Sequence, residues 1–177
     1  MRLAVAAALT APLLLAACAG APKVSGEDPG GRSFVLEKEL VGSGTGSGVF
    51  RNTLSGSERR FTVLFHGVRT RAGVDLAEDI AYADGEKERH VWRFTKTGPG
   101  TYEGLRDDVV GVAKGTVVGN TLTLAYEVKL NTGGSTAQVR FDDTLVLTGS
   151  GRVTNRATVS KFGVRVGTVD LSFRMRG

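Results

Sequence analysis

The chain has 177 residues, of which 41% are hydrophobic and 23% charged, with a formal net charge of +5, 25 glycines and 1 cysteine. A lone cysteine excludes an intramolecular disulfide framework, and the length suits one domain. The basic residues fall in short pairs, such as Arg59-Arg60 and Arg69/Arg71, or beside acids, as in Glu86-Lys87-Glu88-Arg89. That pattern gives a solvated face rather than the basic stripe with stacking aromatics that nucleic-acid binding requires.

Arg2 precedes an apolar run over residues 3–16 that is nearly all Ala, Leu and Val. The run has the length of a signal-peptide core and is short for a membrane span. Leu15-Ala16-Ala17-Cys18 closes it and resembles the lipobox of bacterial lipoproteins. The resemblance implies cleavage before Cys18, lipidation of its thiol and acylation of the new amine. Several acyl chains hold a protein stably on a bilayer where one does not. Ala19 follows, not Asp. By analogy with enterobacterial sorting, the expected address is the cell envelope, at the outer membrane and facing the periplasm. The expected division is a signal peptide over residues 1–17, a Gly- and Pro-rich tether over 18–32, and one domain over 33–177.

Within that domain, residues 33–40 read as a short helix or turn with Ser33 as its cap. Gly42-Ser43-Gly44-Thr45-Gly46-Ser47-Gly48 has neither a strand before it nor helical periodicity after it, so it is no phosphate loop. It reads as a glycine-rich entry into a sheet. From there the chain alternates. Phe61, Val63 and Phe65 share a face, and so do Val74, Leu76, Ile80 and Tyr82. Similar runs are Leu122 to Leu130, Val139 to Leu147 and Val169 to Met175. Asp84-Gly85, Thr97-Gly98-Pro99-Gly100, Gly119-Asn120, Asn131-Thr132-Gly133-Gly134 and Gly149-Ser150-Gly151 separate them with turn chemistry. A long meander with one apolar face closes most economically into a barrel, because closure removes exposed edges. The predicted fold is an all-β, antiparallel, up-and-down, lipocalin-like β-barrel of about 8–10 strands, with a two-sheet sandwich as the alternative. Whether side chains fill its lumen is open at this point.

Polar residues in the apolar registers are the candidates for function. Glu78 is in step with Leu76 and Ile80, and Asp143 with Phe141 and Leu145. His90 is in step with Trp92, and Asn155 with Val153 and Ala157. A buried carboxylate without a partner is costly. The candidate ligand-binding set is therefore Glu78, His90, Trp92, Tyr126, Asp143 and Asn155, with Arg89, Arg140 or Arg156 as counter-ions. A β-bulge between these positions would shift parity and scatter them. Asp142 and Asp143 are strand neighbours and point to opposite faces, so they are no acid–base pair. His66 and His90 have no metal-ligand spacing, and no Gly-x-Ser-x-Gly elbow is present. No catalytic residue, metal or cofactor is read from the sequence.

The residues Asp84-Gly85, Arg89, Trp92, Asp108-Val109-Val110-Gly111-Val112-Ala113, Gly119-Asn120, Phe141-Asp142-Asp143, Asn155-Arg156-Ala157 and Lys161-Phe162-Gly163-Val164-Arg165-Val166-Gly167 carry a further resemblance. With them the chain resembles an uncharacterised bacterial lipoprotein family, the domain of unknown function 3833, from about Phe34 to the C-terminus. Thr144 departs from the pattern, where an aromatic is expected. The resemblance implies a lipocalin-like strand pattern and lends no activity. The leading functional expectation is an envelope lipoprotein that binds a small apolar or lipid-like molecule, such as a fatty acid, in its lumen. The alternatives are a structural or interaction lipoprotein with a filled barrel and, more weakly, a lipid- or sugar-modifying enzyme. A protein partner is not legible.

Overall fold

The computed structural model describes residues 31–131 and 136–177. The lipobox with Cys18, the signal and most of the tether lie outside the described residues, as does the turn at 132–135. Among the described residues one short helix, α1 (Leu36–Glu39), precedes ten strands. They are β1 (Gly42–Asn52), β2 (Glu58–Arg69), β3 (Gly73–Tyr82), β4 (Lys87–Gly98), β5 (Thr101–Leu105), β6 (Ala113–Val118), β7 (Thr121–Asn131), β8 (Thr136–Gly149), β9 (Arg152–Lys161) and β10 (Val164–Arg176). Each strand pairs antiparallel with its sequence neighbours, and β1 pairs with β10 from Ser43↔Arg176 to Asn52↔Gly167. The sheet is thus a closed up-and-down barrel without a free edge.

β1 begins at Gly42, within the Gly/Ser run. Gly44, Gly46 and Gly48 are its inward positions. A Cβ on Gly46 would stand 2.7 Å from Phe173 Cβ, and one on Gly48 2.5 Å from the Phe61 ring. The bare backbone lets Phe61 and Phe173 lie across it.

One end of the barrel is plugged. Phe34, Leu36 and Leu40 are fully buried and join a core with Val74, Trp92, Phe94 and Leu122. Each such side chain contributes about 1.5–3 kcal/mol on burial. Leu40 passes so close to β2 that a Cβ on Gly67 would meet its carbonyl oxygen at 1.7 Å, so only glycine fits there. Tyr102 donates to Glu37 at 2.9 Å and tethers α1 to β5. Ser33 does not cap the helix. Val35 occupies the N-cap without a side-chain bond, and tertiary packing holds this single turn.

The opposite end is the mouth, formed by residues 53–57, 83–86 and 106–112 and the 162–163 turn. Register shifts occur at Lys96/Gly98, Leu147/Gly149 and Arg165/Gly167. All lie outside the stretches that carry the candidate residues, so alternation predicts their direction correctly.

Candidate functional site

Inside the barrel is a cavity of about 720 Å³. Its depth is apolar, with Val63, Phe65, Leu76, Leu124 and Phe173 among its walls. All six predicted residues, Glu78, His90, Trp92, Tyr126, Asp143 and Asn155, line this one cavity. Period-2 alternation puts them there from β3, β4, β7, β8 and β9. A second hollow of about 610 Å³ lies over the seam of β1, β2, β3 and β10, where Ser47, Arg60, Thr62, Asp170 and Ser172 are its polar lining.

An aromatic wall orders the polar groups. Trp92 stacks on Phe94 at 5.2 Å between centroids and meets Tyr126 edge-on at 5.0 Å. Tyr126 stacks on Phe141 at 5.3 Å. Gly104 makes room for this wall, because a Cβ there would be 2.9 Å from Phe94 and 3.2 Å from Trp92. Against the wall, Asn155 Nδ2 donates to Asp143 Oδ1 at 2.7 Å. The Tyr126 hydroxyl lies beside Asp143 and favours its charged form. The Trp92 indole N–H lies beside Glu78 and favours its charged form. Asn155 Oδ1 is buried and has no hydrogen-bond partner among the described residues.

Burial pushes Glu78 up to about 7, helped by the charges of Asp143 and Asp108 and opposed by Arg106 and the Trp92 N–H. Burial likewise pushes Asp143 up to about 6, against the hydrogen bond from Asn155, the Tyr126 hydroxyl and the charge of Arg106. The Tyr126 hydroxyl is raised well above its usual value, first by burial and then by Asp143. Two carboxyls from opposite sides of the barrel therefore feel each other across the lumen.

His90 faces Glu78 directly across β3 and β4 and links it to a group nearer the mouth. Its Nε2 lies 3.2 Å from Glu88 Oε2, which also accepts from the Tyr82 hydroxyl at 3.1 Å. Arg59 covers the Tyr82 ring at 3.5 Å and bonds Asp84 at 2.7 Å.

The counter-ion is not among those predicted. Arg89 pairs with Asp79, Arg140 with Asp142, and Arg156 with Asp170, all on the outer surface. Their parity requires this, since each alternates with an inward residue. The internal cation is Arg106, from the loop after β5. It forms two bonds to Asp108, at 2.6 and 2.9 Å. Its guanidinium lies 4.6 Å from the Trp92 centroid and 5.5 Å from that of Tyr126. β5 and β6 are short, and the 106–112 loop pairs instead with the mouth end of β7. Val110 N donates to Glu127 O, and Lys129 N to Asp108 O. The loop thus partly covers the mouth and delivers Arg106 and Asp108 into the lumen. Asp142 points outward, away from Asp143, as neighbours on a strand must.

Among the described residues, no group of three or more His, Cys, Asp or Glu is arranged to hold a metal ion. Phe162, at the β9–β10 turn, is 94% exposed with φ 52°, a left-handed conformation that a bulky residue rarely adopts.

The barrel is similar to the solved S-type phycobiliprotein lyase of Guillardia theta, at a TM-score of 0.58 and 13% identity, covering 78% of this chain and 89% of that one. At that identity the likeness shows a shared lipocalin-like fold. No curated protein is similar enough to the chain to count as a match. The family model described as a protein of unknown function, DUF3833, matches residues 12–175, and the chain belongs to that family.

Proposed function

We propose that the protein binds a small, largely apolar molecule inside its barrel and works on the cell envelope, held there by lipid on Cys18. The observation that carries the reading is the cavity of about 720 Å³, lined by apolar and aromatic side chains with a few convergent polar groups. Ligand sites generally have this size and make-up, roughly 300–1,000 Å³. It also counts against a filled barrel with a purely structural role. The structural neighbour is by name a lyase of phycobiliproteins, so a barrel of this kind is compatible with work on another molecule. The envelope address rests on the Leu15-Ala16-Ala17-Cys18 pattern, with the outer membrane favoured by Ala19.

A neutral fluorescent apolar probe, N-phenyl-1-naphthylamine, tests the site. It should bind the full chain at one site, and Leu145→Trp, which adds bulk to the cavity wall, should abolish binding while the far-UV spectrum stays unchanged. Equal binding by the variant would move the site off the lumen. Cys18→Ser should release the protein from the membrane fraction. Retention of that variant would remove the lipid-anchor part of the proposal.

A second reading draws on Glu78 and Asp143, whose raised pKa values suit proton transfer near neutral pH. It is an enzyme acting on the bound molecule. Glu78→Gln and Asp143→Asn would each abolish such an activity without unfolding the barrel.

A further inference from the structure

We infer that the molecule held in this cavity carries a cationic, hydrogen-bond-donating head group of the amine type on its apolar body, and that fatty acids and other anionic amphiphiles are excluded. The assignment rests on the ligand-binding reading above and concerns the deep polar cluster.

Charge is the first argument. The deep cluster holds three acids, Glu78, Asp108 and Asp143, one cation, Arg106, and the His90 imidazole opposite Glu78. Arg106 is committed to Asp108 by two short bonds and is held against Trp92 and Tyr126. Among the described residues, no salt bridge reaches Glu78 or Asp143. A carboxylate brought beside them would meet like charges in a poorly solvated space, which costs far more there than in water. The other cations of the lining, Arg59 and Lys129, lie towards the mouth, and Arg59 is spoken for by Asp84, Glu86 and the Tyr82 ring.

Hydrogen-bonding capacity is the second argument. The cluster has acceptors in excess of donors. Asp143 receives Asn155, and the donors beside the two carboxyls are the Trp92 N–H and the Tyr126 hydroxyl. Two carboxylates offer about eight lone-pair sites. Asn155 Oδ1 is buried without a partner among the described residues, beside Asp143. Buried acceptors left unpaired are costly. An ammonium brings three donors and no acceptor, so it supplies what this wall lacks.

The surroundings are the third argument. The polar cluster, with His90 level with Glu78, sits beyond the mouth group of Tyr82 and Glu88, within walls of Leu76, Leu124 and Phe173. A head group reaching Asp143 leaves its tail against apolar side chains. Aromatic faces beside carboxylates also favour a cation directly.

The test is calorimetric titration of the full chain, in a non-ionic detergent, with octylamine, octanol and octanoate at pH 7.5. The three share one apolar body. Octylamine should bind more tightly than octanoate by roughly tenfold or more, the span that a charge-assisted hydrogen bond commands. The double variant Glu78→Gln/Asp143→Asn should erase that preference while still binding octanol. Octanoate binding as tightly as octylamine would overturn the inference and leave the ligand-binding reading intact. A preference that survives the double variant would also overturn it, because it would arise elsewhere on the protein. If none of the three binds and the neutral probe fails too, the ligand-binding reading falls, and the inference with it.

Discussion

Glu78→Gln is the substitution with the most specific consequence for stability. The carboxyl is held at about 7 in the folded barrel against an ordinary value of 4.5. A group raised on folding holds its proton more tightly in the native state. Stability is therefore fully present below pH 4.5 and falls as pH rises towards and through 7. Moving a carboxyl from 4.5 to about 7 corresponds to about 3 kcal/mol between the two limits. Glu78 is partly accessible from the cavity, and water there relieves some desolvation, so this figure is an upper bound. Glutamine keeps the shape and can still accept from the Trp92 N–H. The variant should match the parent at pH 4 and exceed it by up to about 3 kcal/mol at pH 8.5, or roughly 6–12 °C in Tm for a domain of this size. Urea unfolding at both pH values, with the slope m checked for constancy, reads the difference. An equal effect at both pH values, or a loss at pH 8.5, would refute the claim that burial of an ionising Glu78 strains the fold.

Other outcomes follow from the same geometry. Arg106→Met keeps apolar packing on Trp92 but loses the cation and strips Asp108 of its partner, and should cost about 3–5 kcal/mol at pH 8; denaturant midpoints across pH should show the penalty shrinking as the lumen acids protonate. Phe162→Asn should stabilise the fold by about 1 kcal/mol, because asparagine tolerates the left-handed backbone and a side chain 94% exposed has little packing to lose; calorimetric Tm measures it. Gly46→Val should destabilise by about 1–3 kcal/mol, since its Cβ would press on Phe173 at 2.7 Å and on the Ser172 carbonyl at 3.0 Å; a parent-like Tm would mean that the β1–β10 seam yields more easily than described.

The barrel was legible because its signal is local. Leu122, Leu124, Tyr126 and Val128 alternate in sequence and point inward in space, and the register shifts in β4 and β8 fall outside the stretches that carry the six candidates. Asp84-Gly85 marks its hairpin, with Gly85 at φ 94°. Arg106 was missed for the opposite reason. It lies on an irregular loop where periodicity carries no information, and it reaches the lumen because β5 is only 5 residues long. The available clue was Arg106-Asp107-Asp108 between two short strands, a cation two residues from an acid. Arg89, Arg140 and Arg156 were attractive as neighbours in sequence, yet alternation already directs them outward. The open lumen was not legible. Its volume depends on how Trp92, Phe94 and Tyr126 stack over Gly104 and on the bare inner face of β1, and neither has a one-dimensional signature.

Native mass spectrometry of the full chain, purified in non-ionic detergent, followed by extraction and identification of whatever is bound, tests the central claim most directly. The account predicts one small apolar molecule per chain, lost from the Leu145→Trp variant. A barrel that emerges empty and also ignores the neutral apolar probe would contradict it.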